Sequence, residues 1–218
     1  MRKIPTGAVA RLFQANPLAI SLMLVANRAW RGIASSAMAY SLNAPGLYFG
    51  PGCRVIGGRH ISFGRRIFAN RNLWLEAVTS YQSQHFSPAI RIGDGVSFSD
   101  EVHISSIECI VIGSGVMMGS KIFISDHSHG AYKGDLQSRP EEPPSHRILG
   151  GGGPITIGEN VWIGDNSVIL GPASIGSGAI IGANSVVRGI VPSNSIVAGS
   201  PARLIKVFNS RTGFWDRA

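Results

Sequence analysis

The chain has few charged residues, few aromatic residues and only two cysteines among its 218 residues. Charged residues make up 15% and apolar residues 44%, a balance that excludes a highly charged disordered polypeptide and indicates a folded core. Cys53 and Cys109 lie far apart and lack the spacing of metal ligands. We therefore expect both to be free thiols in a reducing cytoplasm.

Long apolar runs are also missing. The stretch PLAISLMLVA, residues 17–26, is shorter than the roughly 20 residues that a membrane-spanning helix needs. The N-terminus is basic, but its apolar run comes late and no clear small-residue cleavage site follows it, so we expect no cleaved signal peptide. These absences favour a cytoplasmic protein.

Acidic residues are scarce. The chain has 12 of them against 20 Lys and Arg, which gives a net charge of +8 at pH 7. The excess is mostly Arg, whose planar guanidinium favours phosphate or carboxylate. Such a surface can meet nucleic acid, an anionic membrane or an anionic small molecule, and an ordinary solvated surface fits equally well. No nucleic-acid-binding motif occurs, so we expect no nucleic-acid partner.

Residues 1–44 lack strand alternation and are rich in Ala, Leu and Met, which predicts one or two helices. One helical face is apolar and two arginines close the segment: Leu18, Leu22, Val25, Ala26, Arg28 and Arg31. Two interpretations stay open. The segment packs on its own domain or on a sister subunit, or it is an amphipathic anchor that holds the protein peripherally at the inner face of the membrane.

An apolar residue recurs every six residues after Pro45. The clearest run comes late in the chain: Ile157, Ile163, Ile169, Ile175, Ile181 and Val187. Shorter runs precede it: Phe63, Ala69 and Leu75; Ile92, Phe98 and Ile104; Ile112, Met118 and Ile124. A period of six fits neither a helix nor a heptad and is typical of a hexapeptide β-solenoid. Three short strands then make one triangular coil, so residues 18 apart should stack, for example Ile157 over Ile175.

Two interruptions break this period. The step from Ile104 to Ile112 is eight residues, and residues 130–153 carry no hexapeptide pattern at all. An insertion of that length in a compact domain is usually functional or disordered. We therefore predict a helical segment at 1–44, a solenoid at 45–206 with an inserted loop at 130–153, and a C-terminal tail at 207–218.

Residues 49–206 resemble the hexapeptide-repeat O-acetyltransferases. The motifs NVWIG (160–164), IGANSVV (181–187) and AGSPAR (198–203) are similar to the galactoside and maltose acetyltransferase branch. The insertion, with DHSHGAYKG and PEEPP, looks more like the enzymes that acetylate bacterial surface polysaccharides. The resemblance implies an all-β, left-handed parallel β-helix that forms a homotrimer with active sites between subunits. It also implies direct transfer from acetyl-CoA to a sugar hydroxyl, without a covalent acyl-enzyme, and no metal is expected.

The same resemblance implies a catalytic base. Aligned without gaps from Ile92, the galactoside pattern places its histidine at His129, in the stretch ISDHSHG (124–130). An imidazole with a pKa near 6.5 suits a base that takes the acceptor proton and passes it to the CoA thiolate. His127 is a second candidate, for catalysis, acceptor contact or structure. Strand alternation turns Ser125, His127 and His129 outward and Asp126 away from them.

Further roles follow from matching positions. For the acceptor we expect Ser99, where the galactoside branch carries an asparagine, and the loop residues Tyr132 and Lys133. For CoA we expect Trp162 to line the groove and a backbone N–H of Gly164 or Asp165 to stabilise the thioester oxyanion. The backbone of Ala183 should contact the pantetheine arm. Arg188 and Arg203 should contact the phosphates.

Other functions stay open on the same fold. A γ-type carbonic anhydrase would need three histidines around zinc, and His103 could join His127 and His129. A structural trimer would use the solenoid only for assembly. Within the acetyltransferases, the acceptor could instead be a small free sugar, a nucleotide-linked amino sugar or an antibiotic.

Overall fold

The structure is a computed structural model that describes residues 6–135, 137–150 and 152–218. Residues 1–5 of the predicted helical segment, and residues 136 and 151 of the predicted loop, lie outside the described residues. All architecture below refers to the described part of the chain.

Two helices and many short strands make up the chain. The helices are α1 (Thr6–Ala15) and α2 (Leu18–Ser41), and 3₁₀ turns occur at Gly58–His60 and Pro144–His146. The strands of the described residues are β1 (Tyr48–Phe49), β2 (Arg54–Ile56), β3 (Ile61–Phe63), β4 (Phe68–Ala69), β5 (Trp74–Ala77), β6 (Ser80–Tyr81), β7 (Gln84–His85), β8 (Ala89–Ile92), β9 (Ser97–Phe98), β10 (His103–Ser106), β11 (Cys109–Ile112), β12 (Met117–Met118), β13 (Phe123–Ser125), β14 (Ser128–His129), β15 (Leu149–Gly150), β16 (Ile155–Ile157), β17 (Trp162–Ile163), β18 (Val168–Ile175), β19 (Ile180–Ile181), β20 (Val186–Val191), β21 (Ser195–Ala198), β22 (Arg203–Asn209) and β23 (Phe214–Arg217).

The strands stack in parallel to form a left-handed β-helix with three faces. One face runs through β1, β4, β9, β12, β17, β19 and β21; the second starts at β2 and the third at β3, and both end on the long strands β18 and β20. Successive coils pair as predicted from the 18-residue step: Ile157 pairs with Ile175 and Ile163 with Ile181. The predicted fold is confirmed.

The six-residue repeat explains this geometry. Ile157, Ile163 and Ile169 are each at most 1% exposed, and every other apolar residue of the predicted runs except Phe63 is at most 4% exposed. Each such side chain contributes about 1.5–3 kcal/mol when fully buried. Corner residues need a left-handed backbone, and Asn166 and Asn184, both with φ of 58°, meet that need because asparagine tolerates this region better than most residues.

Helix α2 caps the N-terminal end of the solenoid. The backbone N–H groups of Tyr48 and Gly50 donate to the neighbouring coil, which leaves the N–H and C=O of Phe49 pointing the other way. The Ser35 hydroxyl bonds both, accepting from Phe49 N at 3.0 Å and donating to Phe49 O at 3.2 Å. Met38 packs on the core beside it. This satisfies an edge strand that would otherwise be open, and among the described residues neither helix is long and apolar enough to span a bilayer.

The C-terminal end differs from the prediction. Residues 207–218 were expected to form a tail, but residues 207–209 and 214–217 lie in β22 and β23, which continue the first face in antiparallel order after β21. The hexapeptide pattern stops before this point, so the period could not reveal the reversal.

Candidate active site

The inserted loop leaves the solenoid directly after β13. The chain bends at Asp126, and β14 then pairs with β15 in antiparallel fashion, with His129 opposite Leu149. Gly152 lies so close to the backbone of Asp126 that a Cβ there would overlap its carbonyl oxygen. This contact explains why position 152 is a glycine, and it closes the insertion at its base. His129 therefore stands on a paired strand, and His127 lies just before that strand.

Asp126 is a buried carboxylate at this bend, 1% exposed. It accepts hydrogen bonds from the Ser106 hydroxyl and from the backbone N–H groups of Ile107, Glu108 and Cys109, the last three at 2.9–3.0 Å. These donors form the eight-residue excursion seen in the sequence. Burial alone would raise the pKa of Asp126, but hydrogen bonds from His127, Ser106 and the backbone outweigh it and hold the pKa below its ordinary value.

His127 pairs with this carboxylate. Its Nδ1 lies 3.0 Å from Asp126 Oδ1, and its side chain is 11% exposed. Because an ionised carboxylate only accepts hydrogen bonds, Nδ1 carries a proton, and in the neutral ring Nε2 keeps its lone pair. The expectation that Asp126 points away was wrong, because alternation ends with β13 and the bend turns the carboxylate toward His127. Ser125, expected to face outward, is buried.

His129 is exposed and contacts a tyrosine from a distant segment. Its Nδ1 lies 3.3 Å from the Tyr81 hydroxyl, which also lies 2.7 Å from the Ser145 carbonyl oxygen. The hydroxyl has one hydrogen and the carbonyl can only accept it, so His129 Nδ1–H donates to the tyrosine oxygen. In the neutral ring this leaves the lone pair on Nε2, the form that a general base requires.

Tyr81 belongs to a second insertion that the sequence did not reveal as part of the site. The hairpin of β6 and β7 leaves the solenoid between Leu75 and Ile92, where the six-residue step fails. Gln84 bonds both the N–H and the C=O of Leu149, at 2.7 and 3.1 Å, and so fixes the inserted loop from outside. The broken step was the only signal in the sequence, and it did not indicate a partner.

The predicted acceptor residues are divided between two places. The Tyr132 hydroxyl donates to the backbone oxygen of His129 and accepts from Arg147 at 3.0 Å, and Lys133 follows it, exposed. Ser99 follows β9 on another face, and it makes no hydrogen bond to either histidine in the described part of the chain. Within one chain the structure therefore brings Tyr132, but not Ser99, to His129.

The predicted CoA residues lie on successive coils. Trp162 is exposed on β17 and pairs in register with Met117 and Ile180. The Gly164 N–H donates to Ile181 O at 2.8 Å and is used by the ladder. The corner N–H groups of Asp165 and Ala183, 18 residues apart, donate to no protein acceptor among the described residues.

The two predicted arginines differ in their surroundings. Arg188 donates from Nε and Nη2 to the Gly171 carbonyl oxygen at 3.0 and 2.8 Å, so part of its guanidinium is already used. Arg203 is exposed on β22 and, among the residues that the structure describes, donates only to the carbonyl oxygen of Ala202, at 3.2 Å.

His103, the third histidine of the carbonic anhydrase alternative, packs in an aromatic stack. Its ring lies 4.0 Å from that of Trp74 and 5.3 Å from that of Phe123, centroid to centroid. Burial lowers its pKa, although Glu76 opposes this effect. Over the described ranges, no group of three His, Cys, Asp or Glu side chains is placed to hold a metal ion.

Comparison with known proteins decides the family. Residues 154–189 match the model described as bacterial transferase hexapeptide (six repeats). WbbJ of Escherichia coli (strain K12), named as an O-acetyl transferase of lipopolysaccharide biosynthesis, is 39% identical over 167 residues, which cover 76% of this chain and 81% of WbbJ. The chain belongs to the bacterial hexapeptide transferases. This hexapeptide transferase is an acyltransferase, as the names of its relatives indicate.

A solved structure supports the fold of the hexapeptide transferase. A variant of AntD, an N-acyltransferase from Bacillus cereus crystallised with dTDP-4-amino-4,6-dideoxyglucose and coenzyme A, superposes with a TM-score of 0.56. The match covers 78% of this chain and 84% of AntD at 17% identity. At that identity the likeness concerns the β-helix alone.

Proposed function

We propose that this acyltransferase moves an acetyl group from acetyl-CoA to a sugar hydroxyl of a bacterial surface polysaccharide or its precursor. The observation that carries the proposal is the histidine pair at the mouth of the inserted loop, with Nδ1 of each ring engaged and Nε2 left as a base. The alignment with WbbJ covers most of the chain, and the name of that relative supports an O-acetyl transfer on a cell-surface glycan.

In this proposal His129 is the general base, because it is the exposed member of the pair. Its Nε2 removes the proton of the acceptor hydroxyl while the hydroxyl oxygen attacks the thioester carbonyl carbon. The C–S bond then breaks and the imidazolium returns the proton to the departing thiolate of CoA. No acyl-enzyme is needed, since both substrates are bound together.

Oxyanion stabilisation is assigned to a corner N–H of the solenoid. Of the two candidates, the Gly164 N–H already donates to Ile181 O, whereas the Asp165 N–H has no protein acceptor in the described chain. We therefore assign Asp165 N–H to the oxyanion and Ala183 N–H, one coil further on, to the pantetheine arm. Trp162 lines the same exposed column, and Arg188 and Arg203 supply charge for the phosphates.

The proposal includes a homotrimer with its active sites between neighbouring solenoids. In this proposal Ser99 and Lys133 contact the acceptor in the cleft between two subunits. We also propose that the protein is cytoplasmic and contacts the inner face of the membrane through residues 1–44.

Binding of the donor tests this function without knowledge of the acceptor. Calorimetric titration with CoA and acetyl-CoA should show saturable binding near one site per chain. Arg203→Ala should weaken CoA roughly tenfold, since a charge-assisted contact to phosphate is lost, and Arg211→Ala, at an exposed turn, should leave it unchanged. A well-folded protein that binds neither molecule would contradict the donor assignment.

Tyr81→Phe tests the orientation of His129. Removing the hydroxyl deprives Nδ1–H of its acceptor, and we expect kcat to fall roughly 10-fold to 100-fold, as for other partners that orient a functional histidine. The ¹⁵N chemical shifts of His129 should show a mixed tautomer in the variant and the Nδ1–H form in the parent. Tyr48→Phe is the matched control, because Tyr48 stacks on Phe68 away from the histidines, and it should leave kcat and the His129 shifts unchanged. Unchanged shifts and kcat would show that this contact does not orient the base.

A further inference from the structure

The outer face of α2 is apolar and uncovered by the chain. Ser21 and Ser35 mark its buried side, whereas six large apolar side chains on the opposite side are 54–90% exposed: Leu18, Leu22, Met23, Trp30, Ile33 and Tyr40. At about 100° per residue they span a sector of about 140°, and no charged residue falls within it. We call these six residues the α2 outer face. The helix has 24 residues, so the face is about 36 Å long.

The charge of the protein is concentrated at the same end. Residues 1–75 contain ten of the twenty Lys and Arg residues and not one of the twelve Asp and Glu residues. Residues 76–218 hold all the acidic residues and have a net charge of −2. Arg28 on α2, and Arg59, Arg65 and Arg66 on the first coil, are all exposed. The apolar face therefore lies at the strongly basic end of a molecule that is otherwise nearly neutral.

This combination fits one kind of occupant. A second copy placed on the face would bring its own basic end against that of the first, and like charges oppose such pairing. An anionic bilayer offers apolar depth for the face and negative headgroups for the arginines, and Trp and Tyr favour the boundary between the two. We propose that α2 lies along an anionic phospholipid surface, with its outer face in the boundary between headgroups and acyl chains.

The proposal deepens the membrane contact of the proposed function by naming its face and its lipid. Because α2 caps the end of the solenoid, a trimer of side-by-side solenoids would carry three such faces at one end. Three weak contacts on one rigid body bind far more tightly than one. The active-site loop, on the coils beyond the cap, would stay in water.

Vesicle sedimentation of the full chain tests this proposal. Vesicles of phosphatidylcholine with phosphatidylglycerol should bind the protein, and phosphatidylcholine alone or high salt should weaken the binding. The double variant Leu22→Glu, Ile33→Glu should lower the partition coefficient by roughly tenfold or more, because it removes two apolar side chains that the proposal inserts into the bilayer. Ile190→Glu, at a side chain 84% exposed on β20, is the matched control and should bind like the parent.

Further measurements separate the outcomes. A Leu22→Ser, Ile33→Ser variant should also lose binding, which removes charge repulsion as the cause. Sedimentation velocity should give all variants the oligomeric state of the parent; if the face variants dissociate, the face is a subunit interface and the proposal is wrong. It is equally wrong if the parent ignores anionic vesicles at low salt. Titration with CoA on the same samples reports on the transferase proposal independently, and the face variants should bind CoA normally.

Discussion

His129→Ala is expected to slow acetyl transfer roughly 10²-fold to 10⁴-fold and to leave CoA affinity and oligomeric state unchanged. The variant removes the exposed imidazole whose Nε2 is free, while β14 and β15 pair through the backbone and keep the loop in place. The measurement is kcat with a purified glycan acceptor, beside the CoA titration.

His127→Ala is the paired experiment and should cost less. Its ring is mostly enclosed, which limits its access to an acceptor, but it has the stronger orienting partner, since Asp126 Oδ1 lies 3.0 Å away. If His127→Ala proves the more damaging change, the Asp126–His127 pair is the base and the ungapped alignment that selects His129 is out of register.

Asp126→Asn is expected to lower the free energy of unfolding by about 2–4 kcal/mol. The carboxylate accepts from three backbone N–H groups and a hydroxyl, and an amide would turn an NH₂ group toward some of these donors. Urea unfolding of the parent and the variant measures the loss. Asp135→Asn, at an exposed position of the inserted loop, is the matched control and should change stability little.

The pH dependence of this loss follows from the lowered pKa of Asp126. A carboxyl whose pKa is lower in the folded state stabilises the protein above its unfolded pKa, near 3.9. That stabilisation disappears as the pH falls through the folded pKa. The difference between parent and Asp126→Asn should therefore be full above about pH 5 and shrink in more acidic solution. A difference that does not change with pH would mean that the charge of Asp126 is unimportant.

The solenoid could be predicted from the sequence because its rule is local. Each inward residue, such as Ile163 or Ile169, is set by its own six-residue unit, and stacking follows from repetition. The inserted loop was recognisable as a failure of that rule.

Parts of the site could not be predicted, because they depend on contacts between distant segments. The Asp126 carboxylate is oriented by hydrogen bonds from backbone N–H groups 17–19 residues earlier in the chain. Strand alternation assumes a straight strand and contains no information about such contacts. Tyr81 reaches His129 across 48 residues, from a hairpin without any repeat. Neither contact has a sequence pattern of its own.

The Ser35 cap also determines the length of the solenoid. Every coil of a parallel stack ends in backbone groups that can accept another coil, from the same chain or from a neighbouring molecule. Ser35 occupies those groups on β1, and at the other end the chain reverses into β22 instead of adding a parallel coil. The repeat alone has no natural end, so these two irregular segments keep the protein a discrete particle and prevent its growth into a fibre.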